Sequence, residues 1–129
     1  MSEQKIELMR RVLREWNREE RDLRWAFHPD VVFLPLRAAM EGAYIGIAGT
    51  ERFTAETEEM FDKFEMHCEL LGVGEQVIVW GKVHVRARQS GIETDIPMGG
   101  PIEFRDGKIV RWEDLGSKAK ALASLGLAE

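Results

Sequence analysis

The sequence has one cysteine, Cys68, so no disulfide can form within the chain, as expected of a reducing compartment. A lone cysteine is most simply a small buried apolar residue. No apolar run approaches the roughly 18 residues a membrane-crossing helix needs. The opening stretch MSEQKIELMRR is charged almost from its first residue and has no signal-peptide core. The expectation is a cytoplasmic chain with no membrane partner. Positive charge is also short, with 18 Lys and Arg against 23 Asp and Glu. Nucleic acid is therefore not expected as a partner, because phosphate contacts need a local excess of Lys and Arg. Arg10, Arg11, Arg14 and Arg18 are interleaved with Glu7, Glu15 and Glu19, the pattern of a solvated face. Internal repeats, low-complexity tracts and linkers are missing too. A chain of 129 residues then reads as one domain over 1–129 with one core.

What is present changes period along the chain. From Glu3 to about Arg18, Ile6, Met9, Val12, Leu13 and Trp16 recur at three- and four-residue steps, predicting an amphipathic helix with Ser2 as its N-cap. A shorter helix is expected over 20–27, ended by His28-Pro29-Asp30, since proline disfavours helix in the residue before it. VVFLPL at 31–36 reads as a buried strand whose Pro35 marks an edge or a bulge. A third helix opens near Gly49 or Thr50 after the glycine-rich EGAYIGIAG, with Phe53, Thr57, Met60, Phe61 and Phe64 inward. From Glu65 the period becomes two, predicting strands near 65–72, 75–89, 92–104 and 108–115. Asp106-Gly107 supplies the tight turn before the last of them. Leu122 and Leu125 share helical spacing in the final segment.

Helices followed by an antiparallel meander imply an α+β domain, a curved sheet wrapped over a long first helix. In VIVWGKVHVRAR, the apolar row Val77, Val79, Gly81, Val83, Val85 and Ala87 faces inward, and Lys82, His84, Arg86 and Arg88 face outward. The inner row is built of small residues. An apolar cavity walled by Trp16, Trp25, Phe33, Phe53 and Trp112 is therefore expected, fit for a small apolar molecule. Tyr44, the only tyrosine, stands near its expected mouth as a hydrogen-bond donor, and Arg37 is placed to meet an anionic ligand. No metal is expected: His28, His84 and the pair His67 and Cys68 lack a shared ligand spacing, and period two puts His67 and Cys68 on opposite faces. In the last strand, GKIVRWEDLG, the same alternation puts Asp114 on the side of Val110 and Trp112.

The order of these elements, the hairpin RDGKIVRWED and the tail AKALASLGL resemble the SnoaL-like branch of the nuclear transport factor 2-like superfamily over nearly the whole chain. The resemblance implies a cone-shaped half-barrel with a deep pocket, commonly dimeric, on a scaffold that hosts unrelated chemistries. Its cyclases place an acid/base aspartate shortly after the hairpin glycine, where Asp114 falls. Their neighbouring-strand histidine corresponds to Gly100 here. The ketosteroid isomerase positions fall near Val12, Leu34 and Gly100, none of which is an acid or a base. The Asp-Arg-Asp arrangement of this fold's epoxide hydrolases has its residue types in Asp95, Arg37 and Asp114.

Asp114 then has two readings. Beside Trp112 in a pocket, desolvation raises its pKa and makes it a base able to take a proton alpha to a carbonyl, with no metal or organic cofactor. Alternatively it turns outward, pairs with Arg111 or Lys118, or caps the helix near Ser117. The corresponding functions are a cofactor-independent cyclase or isomerase acting on an apolar carbonyl compound, or a non-catalytic ligand-binding or scaffold protein with the same pocket. Epoxide hydrolysis is a further alternative. A homodimer through the outer sheet face is expected in either case.

Overall fold

The computed structural model describes residues 2–18, 22–36 and 42–128. In chain order the elements are α1 (Ser2–Trp16), β1 (Phe27–Leu34), β2 (Tyr44–Ile45), α2 (Gly46–Met60), β3 (Phe61–Val73), β4 (Gln76–Ala87), β5 (Glu93–Arg105), β6 (Lys108–Glu113) and α3 (Lys118–Ser124). The strands form one curved, open sheet in the order β2-β1-β6-β5-β4-β3. All neighbours are antiparallel except β1 and β6, which run parallel with Phe33 opposite Trp112. The fold is the expected α+β half-barrel.

The stripe of α1 lies on the concave face of the sheet, and Met9, Val12 and Trp16 are buried in the main core. Just past its end, Asn17 donates from Nδ2 to the Met66 carbonyl at 2.9 Å and accepts from the Met66 amide at 2.8 Å. The Asn17 side chain thereby ties the helix end to β3 and satisfies the backbone N–H and C=O of Met66. The inner row of β4 behaves as its alternation predicts, since Val77, Val79, Val83 and Val85 are buried. On the outer face, α3 packs Ala121 and Leu122 on Ile78. Its N-cap is Ser117, whose Oγ accepts from the Lys120 amide.

Several expectations are corrected. No helix forms over the described part of 20–27: residues 24–26 make a turn and Phe27 already begins β1. His28-Pro29-Asp30 therefore lies inside a strand, where the register with β6 shifts between Phe27 and Val32, and an irregularity of this kind tolerates the missing N–H of Pro29. Helix α2 starts at Gly46 and stops at Met60, so Phe61 and Phe64 point inward from β3 instead. Met60 is exposed. Ser2 lies within α1, and its side chain is outside the described residues, as is Arg37. In β6 the register with β5 shifts between Glu103 and Phe104, which puts Ile109, not Val110, in the core together with Trp112. Trp80 is half-buried against the α3 cluster, with the Lys118 ammonium 4.7 Å from its ring centroid, so the outer row is not wholly presented to water.

Candidate functional site

Between the concave sheet and α2 lies an apolar cavity of about 260 Å³. Phe33 and Pro35 at the end of β1, Phe53 of α2, and Trp112 at the end of β6 make one side of it. Phe61, Phe64 and Met66 of β3 make the other, while Val83, Ile96 and Met98 line it from β4 and β5. The aromatic side is a packed cluster: Phe33 stands edge-on to Phe53 at 4.7 Å and to Trp112 at 5.5 Å, and Trp16 backs Phe53 at 5.8 Å. Rings in such edge-to-face contact hold one another's orientation. The wall is therefore preformed.

One ionisable side chain lines this cavity among the described residues, and it is Asp114. It lies one residue beyond β6, where its amide donates to the Leu34 carbonyl at 2.8 Å and so continues the β1 pairing. Its Oδ1 accepts from the Gly99 amide at 3.0 Å and the Gly116 amide at 2.9 Å. Burial holds its carboxyl above the ordinary carboxylate value, while the two amides act in the opposite direction. Arg111 pairs with Glu103 and Glu113 rather than with Asp114, and Ser117, not Asp114, caps α3. Nearby, the Cys68 thiol is pushed up to about 11 by burial and, secondarily, by the Asp114 charge, and its sulfur lies 3.4 Å from that of Met98. A thiol so placed stays protonated and packs as an apolar group.

Backbone proximity explains the bare neighbouring strand. A Cβ on Gly100 would lie 1.6 Å from the Glu113 carbonyl oxygen, and one on Gly99 would lie 2.4 Å from the Ser117 carbonyl. No side chain can stand at Gly100, because the Glu113 carbonyl at the end of β6 occupies that space.

The other sequence candidates divide. Phe33, Phe53 and Trp112 share the cavity with Asp114. Trp16 instead lines a separate, more polar cleft of about 450 Å³ with Arg24, Thr50 and Glu51, which Phe33 and Phe53 also border. That cleft is larger, but its Asp22 and Arg24 are hydrogen-bonded to each other, and Asp114 is not on its wall. Trp25 lies outside both: its indole donates to the Asp22 carbonyl at 3.0 Å, and the Arg11 guanidinium covers its ring at 4.0 Å. Tyr44 is buried in β2 and donates to Glu56 Oε2 at 2.5 Å, away from the apolar cavity. Asp95 faces outward, bonded to His84 at 2.6 Å and Lys82 at 3.2 Å, so it does not join Asp114. Sequence reasoning missed Met66, Ile96 and Met98 as cavity residues, although their placement follows from the registers Met66 opposite Val83, Val83 opposite Ile96 and Gly81 opposite Met98.

An open, curved sheet over a long helix, with an apolar cavity at its concave face, is the SnoaL-like, nuclear transport factor 2-like fold, and this chain has it. Three solved structures illustrate the likeness. TerC, co-crystallised with polyporic acid, superposes with a TM-score of 0.75 at 23% identity, over 88% of this chain and 91% of that one. A nuclear transport factor 2-like protein of unknown function from Burkholderia pseudomallei K96243 gives 0.77 at 20% identity, over 93% and 95%. A protein assigned as a SnoaL-like polyketide cyclase from Jannaschia sp. CCS1 gives 0.73 at 21% identity, over 87% and 84%. No family model matches the chain, and no curated protein matches it in sequence.

Proposed function

We propose that this protein is a small-molecule pocket protein in which Asp114 carries out acid–base chemistry on an apolar carbonyl compound, as a cofactor-independent cyclase or isomerase. The observation that supports this reading is one carboxyl on a wall that is otherwise apolar among the described residues, fixed through Oδ1 by two backbone amides and raised above its ordinary value by burial. A base with a raised pKa both takes a proton from carbon and gives it back at moderate pH. The likeness to a protein assigned as a SnoaL-like polyketide cyclase and to one crystallised with polyporic acid supports the choice of carbonyl compounds of this kind.

Screening small enolisable ketones and polyketide-like esters tests the proposal. Turnover, or exchange of the alpha proton in D2O, is expected for the wild type and lost in Asp114→Asn while binding persists. A variant that exchanges at the wild-type rate refutes the assignment. One observation favours a second reading, a ligand-binding protein without chemistry: Asp114 has no ionisable partner on the cavity wall among the described residues. That reading is established if the wild type binds such ketones and leaves every alpha proton in place. Asp95 on the outer face removes the Asp95 version of epoxide hydrolysis.

A further inference from the structure

Apart from Asp114, one side chain on the cavity wall among the described residues carries an N–H or O–H, and it is Trp112. No acceptor among the described residues takes its indole proton, yet its nitrogen is not among the sealed buried atoms that lack a partner. Trp112 is almost wholly buried and lines this cavity, so an acceptor for a nitrogen that is neither bonded nor sealed among the described residues is to be sought in the cavity. Trp112 and Asp114 are two residues apart at the end of one extended segment, a spacing of about 7 Å that puts both on the same side. The rings of Phe33 and Trp16 fix the Trp112 plane at 5.5 Å and 6.3 Å. The two Asp114 amide bonds both go to Oδ1, so Oδ2 is the oxygen left for a ligand.

We propose that the Trp112 indole N–H is the hydrogen-bond donor to the carbonyl oxygen of the ligand, and that Asp114 Oδ2 meets the adjacent C–H of the same molecule. This deepens, and rests on, the reading of the cavity as a carbonyl site. In the step it serves, the alpha C–H bond breaks, its proton passes to Oδ2, and its electron pair becomes the carbon–carbon double bond of the enolate. The carbonyl π pair moves to oxygen, where the indole N–H stabilises the charge without giving up its own proton. A donor aimed at developing oxyanion charge in a water-poor site contributes far more than the same bond in water. The ligand class is an aromatic or alicyclic ketone of about two fused rings, with the carbonyl and its acidic C–H on one edge, since about 260 Å³ holds little more.

The test compares 2-tetralone with tetralin, which has the same shape and no carbonyl. On wild-type protein, the Trp112 indole N–H resonance is expected to move downfield with 2-tetralone and not with tetralin. Trp112→Phe is expected to weaken 2-tetralone about tenfold, the value of one net hydrogen bond at the upper end of its range, and to leave tetralin unchanged. Equal losses for both ligands, or binding of 2-tetralone without an indole shift, would overturn the donor role. Should Trp112→Phe fail to fold, the indole shift in the wild type decides alone. Failure of 2-tetralone to bind the wild type sinks the carbonyl-site reading and the donor with it. Binding through Trp112 without exchange of the alpha proton supports the donor and removes only the catalytic claim for Asp114.

Discussion

At the scale of the residue, Asp114 combines two roles that the sequence sets against each other. It accepts backbone hydrogen bonds like a cap and faces an apolar cavity like a base. An asparagine keeps the accepting oxygen, so Asp114→Asn is expected to preserve both amide bonds while removing a charge that burial opposes. Because its folded-state pKa lies above the unfolded value of 3.8, the contribution of Asp114 to stability falls as pH rises from 3.8 through the folded value. The variant should therefore melt at the wild-type temperature or above it near neutral pH, with an advantage that shrinks as the pH is lowered towards 4. Thermal denaturation across that range checks it; an asparagine variant less stable at every pH would contradict it. His84 shifts stability with pH in the same direction, but through a favourable interaction of its charged form. Hydrogen bonds from its ring to Asp95 and Glu93 raise its pKa above 6.5, so its stabilisation is full below that value and is lost as pH rises through the raised one. In His84→Gln that dependence disappears, and the two proteins should converge in melting temperature on the alkaline side.

At the scale of the element, the seam between β5 and β6 shapes the site. The Gly100→Ala variant puts a methyl group into the Glu113 carbonyl, and neither backbone can give way without breaking the ladder. A loss of at least about 2 kcal/mol is expected in denaturant unfolding, with release of Asp114 from its amides. The strands with strict alternation were legible, as Val77, Val79, Val83 and Val85 show, because each obeys a local rule about faces. So was the α1 stripe. The extension of β1 back to Phe27 was not, because it depends on parallel pairing with a strand near the other end of the chain, and local signals at His28-Pro29-Asp30 argue against it. The shifted register in β6 hid the burial of Ile109 for the same reason. At the site, the Asp114 position was readable, but its partners are backbone amides of Gly99 and Gly116, groups every residue but proline carries and no sequence advertises.

At the scale of the whole molecule, the outer sheet face is divided. Helix α3 covers its Ile78 end, while Lys82, Asp95, His84 and Glu93 form a cross-strand charge network farther along and Arg86 pairs with Asp62. A closed twofold dimer through the uncovered part is the expected assembly. Sedimentation at low micromolar concentration should give twice the chain mass, and a monomer there would reject it. The parallel seam has a consequence for how the molecule is made. Phe33 and Trp112, which share the cavity wall, meet across about 80 residues of chain, so their contact has a large sequence separation and its loop-closure cost comes before any reward. On a ribosome, β1 must wait with an unpaired edge until β6 has been synthesised. The aromatic wall and the carboxyl at its end thus close last, and a chain stopped short of Trp112 has neither.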